Sequence, residues 1–215
     1  MEFIVPCDVI ARFAPLARSQ KASETRDYLS TIYIERTNNK TFVVATNVKT
    51  AAIEYLKDAP KGEDGYILLQ LHEPLIKACD NEAAYNSRLH IVYIPEIKFA
   101  TAKTDFGYVC TDNISHPLAP ITTQKFDDVR REWVTWRQWA PLYIPKQTYG
   151  ALDMSAIELY GLARASPSGR LLFPLHIDRR MSVLVRDSES DDWCGLFMPD
   201  TGTENKGVEL PVWMK

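Results

Sequence analysis

Arg179 to Asp200 of the 215-residue chain read RRMSVLVRDSESDDWCGLFMPD. Asp187, Glu189, Asp191 and Asp192 stand close to Cys194, residue types that could hold a cation or activate a thiol. The spacing serves neither purpose. An EF-hand loop needs a central glycine and a closing glutamate, and both are missing. Cys7, Cys79, Cys110 and Cys194 form no C-x-x-C pair, so zinc-ribbon and thioredoxin-type sites fail. They read as reduced, mostly buried small apolar residues. His72, His90, His116 and His176 form no H-E-x-x-H, and the nine scattered glycines offer no G-x-x-x-x-G-K-[ST] loop for phosphate. No local constellation supports a nucleophile, a metal or a cofactor, so the chain is read as non-enzymatic. The acidic run then has an architectural meaning: RDSESDD is a solvated hairpin loop between the edge-like strands SVLV and CGLFM.

Composition sets the frame around those residues. A hydrophobic share of 46% is ordinary for a chain that buries a core, and 215 residues suffice for one large domain or two small ones. A net charge of -3 argues against coating nucleic acid by bulk charge, while leaving room for local basic faces. MEFIVPCDVI carries no basic segment ahead of a long apolar run, and no stretch approaches the roughly 20 apolar residues of a membrane helix. A soluble, cytoplasmic protein is expected.

The elements that must position any site repeat. EFIVP reads as a strand, and CDVIARFAPLARSQ follows with Val9, Ile10, Phe13, Leu16 and Ala17 on one helical face. Pro15 is expected to kink or shorten this helix. YLSTIYIE, TFVVAT and TAAIEYL read as strands, the first two joined by the turn cluster RTNNK. The pattern then recurs: GYILLQ, a helix in LHEPLIKACDNEA with Leu71, Leu75, Ile76 and Cys79 on one face, then RLHIVYI, EIKFATAK and FGYVCT. Two βαβββ half-units side by side predict an α+β fold with antiparallel sheets and both helices on one face. DNISHPLAPITTQ divides the chain, giving residues 1–118 as one domain, 119–199 as a shortened second and 200–215 as a tail. In the second domain a tryptophan-rich helix is expected over FDDVRREWVTWRQWA and a strand over PLYIP. SAIELYGLARA is ambiguous: analogy with the first two copies favours a helix, while apolar residues all around the helical wheel and the following SPSG would suit a strand and a hairpin turn; RLLFPLHID, MSVLVRD and WCGLFMP read as strands.

This order of elements resembles the DNA sliding-clamp superfamily, the bacterial β clamp above all. Three segments carry the likeness: YLSTIYIERTNNKTFVVATNVKTAAIEYL, in which Asn47 stands where the family often has Asp; KFDDVRREW; and MSVLVRDSESDDWCGLFMP. The resemblance implies a processivity factor that encircles double-stranded DNA and tethers a polymerase or other replication proteins. The bacterial clamp has three domains per chain, and this chain has room for two. That implies a homo-oligomer, a trimer for preference, and its small size and divergence point to a phage source. Basic residues on the helices would then face phosphates: Arg12, Arg18 and Lys21 on or just after the first, Lys77 on the second, Arg131 on the third. By the same resemblance Leu196, Met198 and Pro199 would line a groove for partner peptides. The tail carries Glu209, Leu210, Val212 and Trp213 in a pattern like a clamp-binding peptide, expected to dock in a clamp groove. The competing reading is a clamp-like accessory protein that binds a polymerase, a host clamp or single-stranded DNA without forming a ring.

Overall fold

The computed structural model describes residues 1–18, 31–47, 49–94, 99–107, 156–173 and 183–197. Strand FGYVCT beyond Gly107, the tryptophan-rich helix and PLYIP fall outside them, as do Lys21, Arg131, Met198, Pro199 and the tail.

EFIVP alternates as a half-buried strand should. In β1 (Glu2–Pro6), Phe3 and Val5 point into the core. The chain passes directly into α1 (Cys7–Arg18). Val9, Ile10, Phe13, Leu16 and Ala17 are all buried, as their spacing predicts. Cys7, Ala11 and Ala14 are buried as well, so among the side chains described from Cys7 to Ala17 a narrow strip of Asp8, Arg12 and Pro15 stays partly open. Burying side chains such as Ile10, Phe13 and Leu16 stabilises the fold by roughly 1.5–3 kcal/mol each. Pro15 does not shorten the helix, which continues to Arg18. The proline lies on the open strip, where a carbonyl deprived of its N–H partner can meet water.

β2 (Thr31–Thr37) and β3 (Lys40–Thr46) form the hairpin that RTNNK announces. Asn38 and Asn39 both take positive φ, 52° and 61°, the pair of left-handed residues that matches the strand twist in a two-residue turn. β4 (Thr50–Leu56) and β5 (Gly65–Gln70) follow, then α2 (Glu73–Ala83), β6 (Arg88–Ile94) and β7 (Phe99–Thr104). The ambiguous SAIELYGLARA is a helix, α3 (Ala156–Ala165), and β8 (Leu171–Leu172), β9 (Val183–Asp187) and β10 (Trp193–Phe197) come after it.

Among the described residues every pairing is antiparallel, and the strands form two sheets, β1-β6-β7 and β5-β2-β3-β4-β10-β9-β8. The half-units are therefore not laid side by side intact. Each gives its first strand to the other: β1 pairs with β6, and β5 pairs with β2. This exchange lets one core, between the two sheets, serve both half-units. β10 is not an edge either. It lies between β4 and β9, so the large sheet runs unbroken from the first repeat into the last described strands.

Candidate nucleic-acid interface and partner surfaces

Among the described helices α1 packs on β2, β3 and β4 of the large sheet and touches both α2 and α3, and α3 also packs on β4. Leu162 anchors α3 by packing against Gly195 of β10, where a Cβ would come within 3.0 Å of the Leu162 Cδ2 atom. Glu82 anchors α2 by accepting bonds of 2.6 Å from Ser87 Oγ and from Thr104 Oγ1 of β7.

In place of an open cationic flank, Arg12 forms the junction between these elements. Its Nη2 donates to both Glu54 oxygens on β4, at 3.1 and 2.9 Å, and to Asp8 Oδ2 at 3.2 Å. Its Nη1 donates to the Ala165 carbonyl at the end of α3. The Arg12 and Glu54 side chains keep only 16% and 13% of their surface exposed. Burial pushes the Glu54 carboxyl above the ordinary range, with Arg12 opposing the rise. The sequence carried a signal for this pair: TAAIEYL puts a carboxylate at an inward position between Ala52 and Leu56.

Lys77 stands open on α2, its side chain 70% exposed and 3.6 Å from Glu73. Asp80 is exposed on the same helix, so the open side of α2 carries two acids to one base and is net acidic rather than basic. Arg18 ends α1. Sequence reasoning passed over Arg164, exposed in the last turn of α3 near the open side chains of Leu159 and Tyr160.

Leu196 lies on the other face of the large sheet, 3% exposed, in a second cluster with Tyr33, Val44, Ala51, Ile53 and Leu68. Asn47, at the position the resemblance singled out, builds the β3–β4 turn. Its Oδ1 accepts from the Thr50 amide and hydroxyl, both at 2.8 Å, and from the Lys49 amide at 3.2 Å.

The acidic run forms the β9–β10 hairpin loop, with one exception to its solvated character. Asp187 is 5% exposed and organises the turn after α3. Its Oδ2 accepts from Ser166 Oγ, Ser168 Oγ at 2.8 Å and Ser168 N at 3.0 Å, while Oδ1 accepts from the Glu189 amide at 2.7 Å. Burial pushes this carboxyl up, but the donors outweigh it and hold it at about 2. The other acids pair outward: Glu189 with Arg170, Asp191 with Arg186 and Asp192 with Lys57.

Cys7 and Cys79 are buried where α1 meets α2, and Cys194 is partly buried on β10. The hydrogen bond between the free Cys7 and Cys79 thiols lowers that of Cys7 and, with burial, raises that of Cys79; burial raises Cys194 to about 11. Among the described residues no group of three or more His, Cys, Asp or Glu side chains is placed to hold a metal ion, and no helix is long and apolar enough to cross a membrane. A groove of about 400 Å³ opens at the start of α1, bordered by Asp8, Arg12, Glu54, Lys57, Arg88 and Asp192.

No protein-family model matches the chain, and no curated protein matches its sequence. Solved structures do match. A DNA polymerase sliding clamp from Pseudomonas aeruginosa superposes with a TM-score of 0.54 at 11% identity, over 93% of this chain and 66% of that one. The β subunit of DNA polymerase III from Thermotoga maritima gives 0.55 at 11% identity, over 94% and 66%. The β subunit from Borrelia burgdorferi gives 0.56 at 9% identity, over 96% and 66%. The fold is that of the sliding clamps, in a divergent sequence. The chain spans 66% of the length of the Pseudomonas clamp.

Proposed function

We propose that the chain is a non-enzymatic processivity factor that closes into a ring of identical subunits, three for preference, around double-stranded DNA. The observation that carries this reading is the pairing of β4 with β10. It joins the chain's two parts edge to edge in one continuous sheet, on which α1 and α3 pack next to each other. Repeating such a junction between subunits is the geometry a closed wall requires. The structural likeness to sliding clamps supports it.

In this reading the inward cations are Arg18, Lys21, Lys77 and Arg131, joined by Arg164. Arg12 is reserved for Glu54. Contacts of this type go to phosphates, so affinity is indifferent to sequence and falls with salt. Met198 and Pro199 would border a partner groove beyond Leu196, open to a polymerase or another replication protein. The test is duplex binding by the Arg18→Glu, Lys77→Glu and Arg131→Glu variants. Each is expected to weaken binding several-fold and flatten the salt dependence; binding equal to that of the parent chain in all three would sink the assignment.

A second reading is favoured by one observation. The described open surface of α1 and α2 offers Asp8, Glu73 and Asp80 beside Arg12 and Lys77, which is no strong phosphate track. That suits a clamp-like accessory protein, which binds a polymerase or another clamp and surrounds nothing.

A further inference from the structure

Arg36 of β2 is 4% exposed, and a guanidinium keeps its proton at any ordinary pH. Its Nη2 donates to the Glu2 carbonyl at 2.9 Å and its Nη1 to the Glu63 carbonyl at 3.4 Å. Its Nε is buried and meets no acceptor. Among the described residues no carboxylate pairs with it; Glu2 and Glu63, both exposed, offer it backbone oxygens alone. A charge taken out of water without a counter-charge is costly. The group is also held in place. It lies over the Phe3 ring, 5.0 Å from the ring centre, and the Gly62 backbone closes on it so tightly that a Cβ there would collide with Nη1. Beside Arg36 a cavity of about 320 Å³ opens between β1 and the β4–β5 loop, bordered by Glu2, Ile4, Pro60, Lys61, Gly62 and Glu63. That is room for roughly ten water molecules. Lys61 is exposed at this cavity and enters no ion pair among the described residues.

We propose that this cavity binds a small oxyanion, phosphate in its simplest form, with Arg36 as the deep contact and Lys61 as the outer one. The planar fork of a guanidinium matches the oxygens of phosphate, and a fork already fixed by Phe3 and two carbonyls loses little freedom on binding. The anion supplies the counter-charge that the fold withholds from Arg36. The carboxylates of Glu2 and Glu63 oppose it, so binding in the millimolar range rather than tighter is expected. Ile4 and Pro60 give the cavity an apolar wall, so a phosphate monoester with a small organic body fits the same chemistry as the free ion. None of these residues belongs to a helix, so the site stands whether or not the chain encircles DNA.

Isothermal titration calorimetry of the full chain at low ionic strength, with inorganic phosphate and with phenyl phosphate as probes, tests this. Saturable binding of one anion per chain is expected. Tighter binding of phenyl phosphate assigns the site to a monoester, and equal or tighter binding of inorganic phosphate assigns it to the free ion. Arg36→Met keeps the apolar stem and removes the charge; it is expected to weaken binding about tenfold or more with the circular dichroism unchanged. Lys61→Glu, at an exposed position, is expected to weaken binding several-fold. No saturable binding at millimolar concentrations of either probe, or binding by Arg36→Met equal to that of the parent chain, overturns the proposal. Should Arg36→Met fail to fold, Lys61→Glu decides, and binding equal to the parent's then counts against the site.

Discussion

Arg12→Met removes the guanidinium and keeps most of the apolar stem. Glu54, 13% exposed, then loses its counter-charge, and the Ala165 carbonyl loses its donor. Breaking a fully buried pair from one side costs about 3–5 kcal/mol, and residual exposure on both partners brings the expectation to about 3 kcal/mol at pH 8. The pH dependence gives the sharper test. Burial already raises the Glu54 carboxyl, and the two effects of Arg12 that hold it down vanish in the variant, so it rises further. A carboxyl raised in the folded state favours folding below its unfolded value, and that contribution declines as pH climbs through the folded value. The cost of Arg12→Met is therefore smaller at pH 5 than at pH 8. Urea unfolding followed by tryptophan fluorescence at both pH values measures it. A cost below about 0.5 kcal/mol at pH 8, or one independent of pH, would refute the junction. Weaker DNA binding with unchanged stability would return Arg12 to the set of phosphate contacts.

Asp187→Ala should destabilise the chain by about 2 kcal/mol in urea unfolding at neutral pH, because the donors of Ser166, Ser168 and Glu189 lose their acceptor. In the parent chain the depressed Asp187 carboxyl contributes stability present above pH 4 and lost as pH falls toward about 2. That loss amounts to about 1–2 kcal/mol after allowing for screening by water, and the Ala variant should lack this part of the acid transition. Gly195→Val would bring a Cβ within 2.9 Å of the Trp193 ring and 3.0 Å of Leu162. The expected cost is about 1–3 kcal/mol, with faster amide exchange in α3, and unchanged exchange there would contradict the packing. Cys7, Cys79 and Cys194 should resist a thiol reagent at pH 8 in the folded chain and react on unfolding, as peptide mapping of the labelled sites would record.

Local periodicity carried most of the elements. The apolar stripe of α1 and the Asn38–Asn39 turn stand where spacing and turn chemistry put them, while the helix at Ala156–Ala165 follows the order of the earlier copies rather than its own apolar spacing. What periodicity cannot carry is which strand pairs with which. The exchange of β1 and β5 between half-units and the interior place of β10 depend on contacts far apart in sequence. Helical spacing also put Arg12 beside the apolar face without naming Glu54, because the partner sits on a strand 42 residues away. Asp187 looked like its exposed neighbours in RDSESDD, yet strand alternation from Val183 and Val185 turns it inward to the serines after α3.

The mass of the chain in solution, by light scattering across a wide concentration range, tests the ring most directly. The account predicts one closed species of fixed mass at every concentration, three 24.5 kDa chains for preference. A monomer throughout, or masses that grow without limit as concentration rises, would contradict it.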